Sequence, residues 1–149
     1  MLSFWEKNTF LDYDVIIVGS GILGLSTACE IKEKFPEKDI LVLERGIFPT
    51  GASTKNAGFL CFGSLTEILA DIALKGEENA IKLVEKRWHG IRFLKQRISE
   101  NKMGYLNYGG YELIDEKSLA AVEKIEYVNS LLHGIIGENV FELKNDDIR

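Results

Sequence analysis

A short β-branched run, Tyr13-Asp14-Val15-Ile16-Ile17-Val18, passes directly into Gly19-Ser20-Gly21-Ile22-Leu23-Gly24. That junction restricts the fold more than any other part of the chain. Residues 15–18 are apolar at every position, as in a strand buried on both faces of a parallel sheet. Beyond the glycines, Gly24, Ala28, Ile31 and Phe35 recur at spacings of four, three and four, one stripe of a helix that Pro36 ends. Residues 36–39 make a turn, and Asp39-Ile40-Leu41-Val42-Leu43-Glu44 is a second apolar run of strand length that ends in a carboxylate. A βαβ unit over residues 13–44 is predicted, and with it an α/β fold.

A G-x-G-x-x-G string by itself is a weak signal, but here it sits between a buried strand and a helix. Glu44, 20 residues after Gly24, ends the second strand where the ribose of a dinucleotide needs an acceptor. Gly19 permits the tight turn, Gly21 lets a pyrophosphate approach the backbone, and Gly24 lets helix and strand pack closely. The helix N-terminus then faces the phosphates. The bland alternative is a glycine turn in an α/β domain that binds nothing; the strand, helix and carboxylate in register favour a dinucleotide. This fingerprint does not separate NAD from FAD.

Residues 45–63 change character, with four glycines, Pro49 and small or polar side chains, and read as an ordered functional loop. Ser64-Leu65-Thr66-Glu67 matches a capping box in which the Ser64 hydroxyl and Glu67 carboxylate satisfy backbone donors, and a helix to about Leu74 follows. Ile81, Val84, Trp88, Ile91, Leu94 and Ile98 mark a long amphipathic helix over residues 77–99. Residues 105–114, with Gly109 and Gly110, read as a strand, residues 116–133 as a helix, and residues 140–143 as one more short strand. Residues 144–149 resemble the start of another helix, with Asn145 or Asp146 as its cap.

Composition closes off several functions. The net charge of −5 and the lack of a basic run argue against nucleic acid as a partner. No apolar stretch approaches the roughly 18 residues of a membrane span, and residues 1–9 lack a signal peptide's apolar core. Cys29 and Cys61 show neither metal spacing nor a disulfide framework, which fits a reducing cytoplasm. Cys61 reads as a buried small apolar residue. His89 and His133 have no partners at a triad spacing and read as helix-surface or core residues. Trp5, Phe10, Tyr105, Tyr108 and Tyr111 are open to two readings, the border of a substrate pocket or ordinary packing. No catalytic residue and no metal ligand is assigned.

The segment Glu44-Arg45-Gly46, followed by Gly51-Ala52-Ser53-Thr54-Lys55-Asn56-Ala57-Gly58-Phe59, resembles the flavin-binding N-terminal region of the glycine/D-amino-acid oxidase family of FAD-dependent oxidoreductases. The resemblance covers essentially the whole chain, with Gly109-Gly110-Tyr111-Glu112-Leu113 as the first strand of a substrate domain. It implies a Rossmann-like unit that binds FAD. Gly19, Ser20, Gly21, Ile22 and Gly24 would hold the pyrophosphate, and Glu44 with Arg45 the adenosine half. Ser53, Thr54, Lys55, Asn56, Ala57 and Gly58 would line the flavin ring, ribityl chain or phosphates; Lys55 reads equally well as a solvated loop lysine.

On that resemblance, residues 1–100 form the N-terminal part of an FAD domain and residues 101–149 the start of an α+β substrate domain. The substrate is a small amino acid or amine, oxidised at a C–N bond. Members of the family run well over twice this length, so the 149 residues are expected to be an N-terminal portion, silent alone and inclined to self-associate through exposed apolar surface. Two further readings stand beside this one. An NAD-binding domain keeps the fold, though residues 53–58 have no evident use there; a non-catalytic remnant or interaction module keeps the βαβ unit without turnover.

Overall fold

A computed structural model describes residues 3–144, so the helix start expected at residues 144–149 lies almost wholly outside the described residues. The chain divides between Phe59 and Leu60 into two compact units. This division falls within the glycine-rich segment.

The first unit begins with helix α1, Phe4–Phe10, which the sequence reading does not anticipate. Its signal is a capping box at the start: the Ser3 hydroxyl accepts from the Glu6 N–H, and the Glu6 carboxylate accepts from the Ser3 N–H. Strand β1, Val15–Val18, and strand β2, Ile40–Leu43, then pair in parallel, Val15 opposite Ile40 and Val18 opposite Leu43. Helix α2, Ile22–Lys34, connects them. A helical crossover is the usual way to join adjacent parallel strands.

Both ends of the ladder are lashed. At one end Asp14 accepts from the Lys38 ammonium at 2.8 Å and from the Asp39 N–H at 2.9 Å, and these two contacts hold its carboxyl below the usual range. At the other, the Gly19 N–H donates to the Leu43 carbonyl at 2.7 Å. On α2, Gly24, Ala28 and Ile31 form the more sheltered face, as the stripe predicts, whereas Phe35 at the helix end is exposed. The strands alternate: Val15 and Ile17 are half-buried, while Ile16 is 57% and Val18 86% exposed. A strand buried on both faces was expected, and only one face is covered, because the pair has α2 as its crossover helix and no further strand among the described residues.

The second unit holds the core. Helix α3, Leu65–Lys75, and helix α4, Glu77–Arg97, turn about Gly76, and the short helix α5, Glu100–Met103, follows. The helix expected over residues 116–133 is two helices, α6, Leu119–Val122, and α7, Ile125–Ile136. The break comes where the Lys124 N–H bonds Ala121 three residues back, while its carbonyl takes the Val128 N–H to open α7. Leu65, Ile68, Val84, Ala121, Val128 and Leu132 make the buried cluster, with Phe62, Ile81, Ile125 and Phe141 packed against it. Phe62 meets Trp88 and Phe141 edge to face at centroid distances of 5.9 and 6.5 Å.

The strands expected at residues 105–114 and 140–143 are not formed. In the second stretch a side chain takes the place of a neighbouring strand. Buried Asn129 accepts from the Val140 and Phe141 N–H groups at 3.1 and 3.0 Å and donates to the Phe141 carbonyl at 2.8 Å. In the first stretch Glu112 reaches the N-terminus of α3, where its carboxylate accepts from the Ser64 hydroxyl at 2.9 Å, from the Thr66 N–H at 3.3 Å and from the Thr66 hydroxyl. Partial burial raises the Glu112 pKa, but these bonds outweigh it and hold the carboxyl below its usual range. The capping box at α3 is therefore half as expected: Ser64 accepts from the Glu67 N–H, but Glu67 pairs with Arg87 at 3.2 Å, and Glu112 is the second acceptor.

Candidate functional site

The glycine string turns the chain sharply between β1 and α2. Gly19 has φ +102°, a conformation that L side chains rarely adopt. At Gly24 a Cβ would stand 2.0 Å from the Gly19 carbonyl oxygen and 3.4 Å from the Ile17 side chain, so the helix can lie this close to the strand only without a side chain there. Gly21, the residue before α2, would place a Cβ 3.0 Å from the Ser53 hydroxyl oxygen.

That serine belongs to a single turn of 3₁₀ helix, Ala52–Thr54, inside the glycine-rich loop. Gly21 has no side chain with which to cap α2, and the Ser53 hydroxyl does so, accepting from the Ile22 N–H at 3.0 Å. The rest of the loop is braced from within. The Thr54 hydroxyl donates to the Pro49 carbonyl at 2.8 Å, and the Asn56 amide donates to the Ala52 carbonyl at 3.2 Å. Lys55, Ala57 and Gly58 are exposed.

Glu44 closes the arrangement from the end of β2. Its Oε2 accepts from the Ser20 N–H at 2.9 Å and from the Ser20 hydroxyl at 2.8 Å, and its Oε1 accepts from the Gly46 N–H at 3.3 Å. The two Ser20 bonds, then that of Gly46, lower its pKa to about 2. Because the folded value is depressed, these bonds are at full strength above the ordinary carboxylate range and are lost only as the pH falls from there toward 2. At neutral pH Glu44 is a fixed anion that can still accept from a donor.

These parts surround a cleft of about 480 Å³ within the first unit. Of the residues singled out from the sequence, Gly19, Gly21, Glu44, Arg45 and Ser53 line it. Ser20, Ile22, Gly24, Thr54, Lys55, Asn56, Ala57 and Gly58 lie outside the lining. The sequence reading missed Val18, Pro49, Thr50, Gly51 and Ala52, which also face the cleft. Their signal was position alone: each adjoins a residue already picked out.

Cys61 is exposed, not buried as expected; His89 and His133 lie exposed on α4 and α7, the helix-surface alternative of the two read from the sequence. Tyr108 and Tyr111 are 80% and 71% exposed, on the stretch that forms no strand. Among the described residues, no group of His, Cys, Asp and Glu side chains could hold a metal ion. Nor is any helix long and apolar enough to cross a membrane.

The whole arrangement is an α/β unit with a glycine cradle, a helix start and an acidic strand end around one cleft. Compared with known families, residues 14–144 match the profile of the FAD dependent oxidoreductases. The chain belongs to this family, and the family's cofactor is FAD. Among curated proteins it is similar to a protein described as an FAD-containing monooxygenase, MymA, from two strains of Mycobacterium tuberculosis. The identity is 48% over 33 residues, and the matched stretch covers 22% of this chain and 7% of each relative's length. No solved structure matches the chain.

Proposed function

We propose that the chain is the dinucleotide-holding part of a Rossmann-like FAD oxidoreductase of the glycine/D-amino-acid oxidase type, whose substrate is a small amino acid or amine. The observation that carries this reading is the cleft itself. A backbone without side chains at Gly19 and Gly21 opens beside the start of α2, and an ionised Glu44 stands across from it at the end of β2. Such a surface suits a pyrophosphate at the helix start and a ribose diol at the carboxylate.

Each residue then has a task. Gly21 leaves room for phosphate oxygens, Gly24 holds α2 against β1, and Ser53 fixes the first turn of α2 while facing the cleft. Glu44 accepts hydrogen bonds from ribose hydroxyls, and as an anion it repels a 2′-phosphate, which disfavours NADP. Arg45, beside it in the lining, meets the adenosine half. Thr54 and Asn56 keep the loop in shape by bonding its own carbonyls, and Lys55 supplies a cation near the flavin end. Held there, FAD would supply the hydride acceptor for oxidation of the substrate's C–N bond. In this reading residues 1–100 serve the flavin and residues 101–149 open the substrate side.

Glu44→Ala is expected to weaken FAD binding about ten- to a hundredfold, the effect of losing a charged hydrogen bond. A fluorescence titration measures it, and unchanged affinity removes Glu44 from the site. The 149 residues by themselves are expected to hold flavin weakly and to give no turnover in a peroxide assay with glycine, sarcosine and D-amino acids. Robust turnover by a monodisperse monomer contradicts that expectation.

A further inference from the structure

Ser20 occupies the second position of the glycine string, where a residue is ordinarily judged by its nearness to phosphate. Its two donors point elsewhere. Both the N–H and the hydroxyl bond the same oxygen, Glu44 Oε2, at 2.9 and 2.8 Å, although 24 residues separate the two in sequence. A serine hydroxyl has one proton to donate, and once that proton lies on Glu44 none remains for a phosphate oxygen. The lone pairs left on the Ser20 hydroxyl would repel an anion. Through its side chain, then, Ser20 acts on Glu44.

The same geometry divides the work of the carboxylate. Oε2 is held twice by Ser20, whereas Oε1 takes the longer bond from Gly46 at 3.3 Å, and the Arg45 N–H adds a weaker backbone interaction with the carboxylate. A carboxylate has about four acceptor positions, so Oε1 keeps capacity for a ligand's hydroxyl. An unpinned glutamate at the exposed end of a strand would sample several rotamers, and a ligand would have to freeze them on binding.

We propose that Ser20 is a positioning residue, which clamps one oxygen of Glu44 so that the other is presented ready-made to the ribose of the dinucleotide. The proposal rests on the FAD reading above. It differs from that reading in taking the Ser20 side chain off the pyrophosphate and assigning it to the adenosine end through Glu44.

Two measurements on the 149-residue chain test it. The first follows the Glu44 carboxyl carbon by NMR as a function of pH without ligand. Ser20→Ala should move its titration upward toward the ordinary carboxylate value, and Ser20→Thr, which keeps a hydroxyl, should move it much less; an unshifted titration in Ser20→Ala overturns the clamp. The second is a cycle of FAD dissociation constants for the parent, Ser20→Ala, Glu44→Ala and the double variant. Ser20→Ala should weaken binding about tenfold in the parent and less than about twofold once Glu44 is alanine. Equal losses in both backgrounds would put Ser20 on the phosphates and overturn the proposal while leaving the FAD reading intact. Failure of the parent to bind FAD at all would overturn both.

Discussion

A valine at position 21 is expected to abolish flavin binding while leaving residues 60–144 folded. The obstacle is steric and not conformational, since Gly21 has φ −70° and ψ 174°, extended backbone open to any residue. A Cβ there already comes within 3.0 Å of the Ser53 hydroxyl oxygen, and the two γ-carbons of valine extend further from the backbone. Ser53 would have to withdraw from the Ile22 N–H, which costs α2 its cap, and the cleft would be filled on the side where phosphate oxygens need contact with bare backbone. Titration with FAD should show saturable quenching of flavin fluorescence for the parent and none for Gly21→Val. A variant that binds as its parent does would remove the pyrophosphate from this cleft.

Gly24→Ala should act on the fold before it acts on the ligand. Its added Cβ would stand 2.0 Å from the carbonyl oxygen and 3.2 Å from the carbonyl carbon of Gly19, and both are backbone atoms that cannot rotate away. Relief requires α2 to move off β1, against the Gly19 N–H to Leu43 bond and the parallel ladder. Overpacking typically costs about 1–3 kcal/mol, and a collision between two backbones belongs at the upper end or beyond. Since the chain has two compact units, the loss should be local. Hydrogen exchange should show the amides of residues 15–18 and 40–43 losing protection, with those of α4 and α7 unchanged. Undiminished protection in the β1 amides contradicts the close approach.

The βαβ unit was legible because each of its parts carries its own local signal. Residues 15–18 and 40–43 are apolar throughout, the glycines mark the turn, and the helix stripe from Gly24 through Ile31 faces the strands. Residues 105–114 and 140–143 have strand-like sequences too, yet their backbone groups are not paired in a sheet. Asn129 supplies the hydrogen bonds that a neighbour would give Val140 and Phe141, and Glu112 is drawn to the donors at the start of α3. Nothing in a run of apolar residues announces that a side chain 11 or 46 residues away will take its partners. The site shows the same limit. Its glycines and Glu44 follow from the fingerprint, but that Ser53 caps α2 from 31 residues beyond, or that Ser20 serves Glu44, is a matter of tertiary geometry.

The place at which FAD meets this chain is the decisive property of the site. An amide-resolved NMR titration of the 149-residue protein with FAD tests that directly. Saturable shift changes centred on residues 19–24, on Arg45 and Gly46, and on residues 51–53 are the predicted result. Their absence, or changes confined to residues 60–144, would contradict it.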